Sequence, residues 1–179
     1  MMKYASLRKS NIVLLLLSSL LSKAQYKIIA RTDLNIDNTK DIVYKDSVTN
    51  KFIFEYGKSN GKKNDSIFFF SNYNSEAGSV NLKIIKNTTI NIKFIYAPKY
   101  LDYDLLSFTY DKLKKDWFLS NLLSYRTNPL SERLITEKCL YKVPKKLSLS
   151  LKKNNFDDIQ EKLIDNKKYL VKCSKSNLE

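Results

Sequence analysis

The chain has 179 residues, a net charge of +14, no histidine and only three glycines. Without histidine it cannot build the Ser-His or Cys-His pairs of common hydrolases, or a zinc site with imidazole ligands. Three glycines are too few for a Gly-rich phosphate-binding loop. The abundance of Tyr, Phe and β-branched residues instead favours a β-rich protein.

Residues 1–24 have the layout of a secretory signal peptide. Basic residues precede an apolar segment, 12–21, and Ser22-Lys23-Ala24 supplies small residues before a cleavage site. The apolar segment is shorter than the roughly 20 residues of a transmembrane helix, although an uncleaved membrane anchor is the alternative. We therefore expect residues 25–179 to form a single exported domain, periplasmic or secreted. Cleavage would remove four basic residues and lower the net charge from +14 to about +10.

Apolar runs and alternations predict strands through the first half of the exported region. The predicted strands are 26–30, 41–45, 51–56, 67–70, 80–84 and 90–96. The last two form a hairpin, with Val80, Leu82 and Ile84 sharing a face with Ile90, Ile92 and Phe94. Such alternation is typical of an antiparallel pair with one buried face. The run 67–70 is apolar throughout, which predicts a strand buried on both sides.

A second hairpin is predicted around the turn 111–116, with 104–110 and 117–125 as its strands. Phe108 and Tyr110 precede the turn, and Trp117 and Leu119 follow it. We therefore expect large apolar side chains to contact each other across the two strands. Two shorter strands are predicted at 140–143 and 146–151.

One helix is predicted, at 155–164. Asn155 is a suitable N-cap, acidic residues occupy the first turn, and Phe156, Ile159 and Leu163 share a face. The polar residues after Cys173 predict a loose tail. The chain should therefore be mainly β, with antiparallel hairpins forming a single sandwich, barrel or propeller-like domain and one short C-terminal helix.

Two cysteines, Cys139 and Cys173, lie in the last quarter of the chain. In an oxidising compartment such a pair is most simply one disulfide. Two free thiols or half of a metal site are the alternatives, and no histidine is present to complete a zinc site.

The loop from Asp33 to Asp41 is the one candidate ion site. Its alternate residues Asp33, Asn35, Asp37 and Asp41 present oxygens, and Thr39 offers a backbone carbonyl. Hard cations such as calcium bind six to eight oxygens of this kind. An EF-hand would also need Gly at the sixth loop position and Glu at the twelfth, where this chain has Asn38 and Tyr44. The alternative is a polar turn whose side chains cap their own backbone.

The loop 33–43, the following hairpins and the pattern of Phe108, Tyr110, Asp111, Asp116 and Trp117 resemble a family of bacterial periplasmic β-proteins. That family has FG-GAP-like calcium loops and is related to PliI-type lysozyme inhibitors and to immunity proteins of antibacterial secretion systems. The resemblance implies binding rather than catalysis. Calcium, bound by the loop, is the candidate cofactor.

The function expected from these observations is that of an exported, non-catalytic binding protein of the cell envelope. Its partner would be a protein, such as a cell-wall hydrolase or toxin. Because the lysines are scattered, nucleic acid is not expected as a partner. One alternative is an envelope structural module that makes peripheral contact with anionic lipid or with polysaccharide. A second is a hydrolase using paired carboxylates such as Asp102 with Asp104, or Asp157 with Asp158.

Overall fold

The computed structural model describes nine parts of the chain. They are residues 26–49, 51–57, 64–68, 77–96, 101–128, 135–153, 159, 161–165 and 167–177. The predicted signal peptide, 1–24, lies outside the described residues. Among the residues that the structure does describe, no helix has the length and hydropathy needed to cross a membrane.

In the part of the chain that the structure describes, ten strands form two antiparallel sheets. The four-stranded sheet has the order β1-β2-β3-β4 and the six-stranded sheet the order β10-β9-β8-β7-β6-β5. In chain order, the strands are β1 (Tyr26–Thr32), β2 (Asp41–Asp46), β3 (Phe52–Tyr56), β4 (Asn64–Phe68), β5 (Ala77–Lys86), β6 (Thr89–Tyr96), β7 (Tyr103–Asp111), β8 (Asp116–Asn128), β9 (Ile135–Lys142) and β10 (Leu170–Asn177).

The inner faces of the two sheets share one hydrophobic core. Phe54 of β3 packs 6.3 Å from Trp117 of β8, measured between ring centroids. The Trp117 indole N–H also donates to the Tyr56 hydroxyl at 3.0 Å. Burial of these large rings stabilises the pairing of the sheets by the hydrophobic effect. The predicted mainly β, antiparallel fold is confirmed, and its form is sandwich-like.

Both predicted hairpins have the predicted register. Val80 lies opposite Phe94, Leu82 opposite Ile92 and Ile84 opposite Ile90. In the second hairpin, Phe108 faces Leu119 and Tyr110 faces Trp117. These pairs lie on the inner face of the six-stranded sheet, where a shift of one residue would expose them all.

The run 67–70 is predicted to be a strand, and its first two residues lie in β4. β4 begins earlier, at Asn64, and pairs only with β3 among the described strands. It therefore lies at the edge of the four-stranded sheet. Residues 69 and 70 lie outside the described residues.

The predicted strand at 146–151 is wrong. Lys145–Leu147 form a 3₁₀ turn, and only Ser150 makes a bridge, to Phe118. Ser148 takes a left-handed backbone conformation with φ of 45°, which interrupts an extended run. The segment still lies alongside β8, because the Leu119 N–H donates to the Leu149 carbonyl and the Leu151 N–H to the Trp117 carbonyl.

The C-terminal region departs from the prediction in two ways. Within the described residues the predicted helix consists of Ile159 in helical conformation and a π-helical turn, Glu161–Asp165. Its predicted apolar face is buried at Ile159 and Leu163, whereas its predicted start at 155 lies outside the described residues. The predicted loose tail is wrong, since Leu170–Asn177 form β10 and pair with β9.

The predicted disulfide is confirmed. Cys139 and Cys173 lie directly opposite each other on β9 and β10, with their sulfurs bonded at 2.02 Å. The bond fastens β10, the strand at one edge of the six-stranded sheet, to its only neighbour in the described sheet. A disulfide is compatible with an oxidising compartment outside the cytoplasm.

Candidate functional site

The predicted ion-binding residues come together in one loop between β1 and β2. Two of its residues take left-handed backbone conformations, Ile36 with φ of 58° and Asn38 with φ of 66°. Asn is among the residues that tolerate this region best, because its short side chain hydrogen-bonds locally. Asn38, which stands where the EF-hand pattern has Gly, is therefore compatible with a tight turn.

Every carboxylate oxygen of the loop accepts a hydrogen bond. Asp33 accepts the N–H groups of Asp37 at 3.2 Å and Asn38 at 2.9 Å. Asp37 accepts the Thr39 N–H at 2.8 Å and the Asn35 side-chain amide at 2.9 Å. This arrangement is the self-capping turn that was the alternative to an ion site.

Asp41 plays a different part from the other two acids. It is only 1% exposed, and its two oxygens accept the N–H groups of Leu34 at 2.7 Å and Gly57 at 2.8 Å. Burial raises the pKa of Asp41, and the charges of Asp37 and Asp33 raise it further, against the lowering effect of the two N–H donors. The Asp41 carboxylate therefore holds the loop in place through two hydrogen bonds and is not exposed at the surface.

Asp37 is shifted in the opposite direction. Its small degree of burial acts to raise its pKa, but hydrogen bonds from Thr39 and Asn35 and the charge of Lys112 outweigh that effect and lower the pKa below 3.8. Asp37 therefore stays ionised under mildly acidic conditions.

These residues fit a hydrogen-bonded turn without any ion. A calcium ion would have to share oxygens that already accept N–H groups, as a carboxylate oxygen with two lone pairs can. Within the described residues, the one set of three Asp, Glu, His or Cys side chains whose ligand atoms lie within 4.8 Å of one another is Glu137, Cys139 and Cys173. Its two sulfurs are bonded to each other, so that set is not a metal site. Calcium binding by the loop stays a prediction.

Of the four carboxylates in the hydrolase alternative, the two that the structure describes, Asp102 and Asp104, both have structural partners. Asp104 is buried and forms an ion pair with Arg126, with both of its oxygens 2.9 Å from guanidinium nitrogens. It also accepts the Tyr96 hydroxyl at 2.5 Å. Asp102 accepts the Thr127 N–H at 2.7 Å. Asp157 and Asp158 lie outside the described residues, and the hydrolase alternative stays untested.

A second feature, absent from the sequence-based expectations, lies on the side of the six-stranded sheet that faces away from the core. We call it the outer face and define it by two register rows that cross β6 to β10. The first row is Lys93, Leu105, Leu123, Leu140 and Lys172. The second is Ile95, Tyr103, Tyr125, Lys138 and Ser174.

The outer face is apolar at its centre, with Lys93 and Lys172 at the two ends of the first row and Lys138 next to Tyr125 in the second row. Leu140 is 38% exposed, and Leu105, Leu123, Tyr103 and Tyr125 are half-buried side by side. Every charged side chain in the two rows is a lysine. Contiguous apolar residues rimmed by polar ones mark interaction sites more often than single exposed hydrophobic residues do.

The tyrosines of the outer face are ordered by their neighbours. The Tyr103 and Tyr125 rings stack 5.0 Å apart and nearly parallel. The Lys93 ammonium lies 3.9 Å from the Tyr103 ring centroid. Because β6 and β8 flank β7 on opposite sides, the lysine and the Tyr125 ring cover opposite faces of Tyr103. The Tyr103 ring therefore presents its edge and hydroxyl to solvent rather than a flat stacking platform.

A signal for the outer face is present in the sequence. Leu105 precedes Leu106 and Leu122 precedes Leu123, so each pair of consecutive leucines puts one side chain on each side of its strand. A strand with one wet side should instead alternate between apolar and polar residues. The excess of apolar residues on β7 and β8 therefore indicates a second apolar surface.

Comparison with known proteins found no matching family model, no matching curated protein and no matching solved structure.

Proposed function

We propose that this chain is an exported, non-catalytic binding protein of the bacterial cell envelope, which holds an acidic protein partner against its outer face. The single observation that carries the proposal is the outer face itself, where leucines and stacked tyrosines lie between lysines. Tyrosine is enriched at the centre of protein interfaces and charged residues belong at their rim. The expected export, the signal peptide and the family resemblance are part of the same proposal.

Charge selects the kind of partner. With Lys93, Lys138 and Lys172 in its two rows and no acid there, the outer face complements a surface that carries carboxylates around an apolar centre. A strongly cationic lysozyme would be repelled. The inhibitor or immunity version of this function therefore requires a hydrolase or toxin with an acidic contact surface.

Single-stranded nucleic acid fits the outer face less well. Nucleic-acid-binding surfaces stack bases on exposed aromatic rings. Both faces of the Tyr103 ring are covered here, by Lys93 and by Tyr125. A protein partner needs only the ring edges, hydroxyls and leucine methyl groups.

The test uses the mature protein, residues 25–179, as bait in an envelope extract. Three baits are compared: the wild type, Lys93→Glu/Lys138→Glu on the outer face, and Lys27→Glu/Lys40→Glu, with Lys27 in β1 and Lys40 in the loop before β2. The last two have the same net charge and both substitute exposed or half-buried lysines. Circular dichroism checks that all three baits are folded.

The proposal is supported by an acidic protein that the wild type and the Lys27/Lys40 variant retain and the Lys93/Lys138 variant loses, with retention that weakens as salt is raised. It is overturned if no protein shows this pattern, or if both charge-reversed baits behave alike. Binding is then confirmed with the purified partner.

A specific observation also favours the lipid alternative. Leu113, in the turn between β7 and β8, is 96% exposed and is flanked by Lys112, Lys114 and Lys115. An apolar side chain among lysines suits the interface of an anionic bilayer, where burial of a leucine is worth about 1.5–3 kcal/mol. Vesicles with and without anionic lipid test it. A lipid partner is favoured if the wild type sediments with anionic vesicles and Leu113→Ser sediments less. Equal sedimentation of the two proteins would exclude this turn as the site of membrane contact.

A further inference from the structure

A cleft of about 600 Å³ opens between the β7–β8 hairpin and the segment 142–149. We propose that this cleft binds an organic anion, that is, a carboxylate or phosphate group carried on an apolar or aromatic body. The site is separate from the rows of the outer face, and the inference does not depend on the proposed function.

The polar wall of the cleft is positively charged. Lys114, Lys142 and Lys145 line it from two different segments of the chain. The single carboxylate in the lining, Asp111, already accepts the N–H groups of Leu113 and Lys114 at 3.0 and 3.1 Å. Three like charges around one cavity repel each other, and an anion placed between them relieves that repulsion.

The floor of the cleft is apolar. It is formed by Phe118, Leu119, Val143, Pro144 and Leu149. The Lys114 ammonium lies 4.7 Å from the centroid of the Phe118 ring and donates to the Ser148 hydroxyl at 3.3 Å. An ammonium held over the Phe118 ring and beside the apolar side chains of Leu119, Val143 and Leu149 fits a ligand with an anionic end and an apolar body. Inorganic phosphate alone would leave that floor uncovered.

The walls are held in place by the protein itself. The Leu119 N–H donates to the Leu149 carbonyl and the Val143 N–H to the Ser120 carbonyl, both at 2.9 Å. Ser148 keeps its left-handed conformation with its N–H donating to the Lys145 carbonyl at 3.1 Å. A cavity whose walls are already ordered loses less conformational entropy when a ligand binds. Its volume is in the range of small-molecule sites.

The test is an NMR titration of the isotope-labelled mature protein with four probes. Phenyl phosphate and benzoate carry the two anionic groups on an aromatic body and show which group the cleft prefers. Inorganic phosphate lacks the apolar body, and benzyl alcohol lacks the charge. We expect saturable shifts of the residues that line the cleft with one or both aromatic anions, and weaker shifts with the other two probes.

Variants locate the site. Lys114→Gln/Lys145→Gln should raise the Kd about tenfold, since it removes two charge-assisted contacts. The matched control, Lys146→Gln/Lys152→Gln, removes two lysines of the same region that do not line the cleft and should leave the Kd unchanged. Unchanged shifts in the rest of the spectrum confirm that each variant is folded.

The proposal is overturned if no aromatic anion gives saturable shifts below about 10 mM, if the shifts lie outside the cleft, or if the two double variants bind alike. These measurements use the isolated protein, so their outcome is independent of the search for a protein partner. The cleft can fail to bind an anion while a partner is found, and it can bind an anion while no partner is found.

Discussion

Asp41 and Gly57 are joined by a buried hydrogen bond, in which the Gly57 N–H donates to the Asp41 carboxylate at 2.8 Å. The contact ties the end of β3 to the acidic loop that precedes β2. It needs a residue without a side chain, because a Cβ at position 57 would lie 2.6 Å from the Lys40 carbonyl oxygen and 2.6 Å from a Thr39 methyl carbon. One carboxylate and one glycine together hold the loop against the four-stranded sheet.

Asp41→Ala should lower the free energy of unfolding by about 2–4 kcal/mol, because it leaves the buried N–H groups of Leu34 and Gly57 without acceptors. Urea denaturation at neutral pH measures the loss. Asp33→Ala is the control, since its hydrogen bonds are exposed to solvent, and it should cost about 1 kcal/mol or less. Equal losses in the two variants would contradict the role assigned to Asp41.

The two acids Asp37 and Asp41 should titrate on opposite sides of 3.8. The pKa of Asp41 is raised in the folded state, so the part of its contribution that comes from proton binding is fully present below 3.8 and is lost as pH rises through the folded pKa. The two hydrogen bonds that Asp41 accepts remain at neutral pH. The pKa of Asp37 is lowered, so its contribution is present above 3.8 and is lost as pH falls through the folded pKa. Carbon-detected NMR of the carboxyl groups gives both values, and Asp37 titrating above Asp41 would refute the ordering.

Calcium should raise the melting temperature if the loop binds the ion, because a ligand that binds only the folded state stabilises it. Differential scanning calorimetry in millimolar calcium, with magnesium as the comparison, measures the shift. The variant Asp33→Ala/Asp37→Ala should show no shift. A wild type that is equally unresponsive would leave the loop as the hydrogen-bonded turn that the geometry already describes.

Removal of the disulfide by Cys139→Ser/Cys173→Ser should lower the free energy of unfolding by about 3–4 kcal/mol on the chain-entropy model. The two cysteines are 34 residues apart in sequence, and β10 has one sheet neighbour among the described strands. Hydrogen exchange should therefore accelerate in β10 more than in β8. Uniform acceleration across both strands would show that the bond stabilises the fold globally rather than fastening this edge.

Tyr56→Phe should lower the free energy of unfolding by about 1–2 kcal/mol, since the buried Trp117 N–H loses its acceptor. The same contact links the sheets, so near-ultraviolet circular dichroism of the single tryptophan should change. Tyr44→Phe, on the adjacent strand β2, is the matched control. Comparable stability of the wild type and Tyr56→Phe would mean that ring packing alone joins the sheets.

Local pattern predicted the hairpins and their register, because period-two alternation around a short polar turn permits one pairing that buries both apolar sets. The disulfide followed from having only two cysteines in an expected oxidising compartment. The acidic loop was located correctly, whereas its hydrogen bonds could not be read from spacing alone. An oxygen that could bind an ion is chemically the same as one that caps a backbone N–H.

Each feature that the sequence analysis missed has its own physical reason. β10, of sequence LVKCSKSN, has no apolar alternation because it lies at an edge with most of its side chains in solvent. Its pairing depends on β9 and on the disulfide, which are tertiary contacts. The segment 146–151 does alternate, but the left-handed Ser148 breaks it. The outer face was missed because β7 and β8 carry apolar residues on both sides. These residues form one surface only when the strands are paired in the folded sheet.

The two edges of the six-stranded sheet decide how another molecule can approach it. β10 exposes Lys172 and Lys175, and β5, at the opposite edge, exposes Lys83 and Lys86. Lysines on edge strands discourage the addition of a further strand from another chain, which is the usual route from an apolar sheet to aggregates. Under the function proposed above, a partner would contact the side chains of the outer face rather than pair with the edge strands of the sheet.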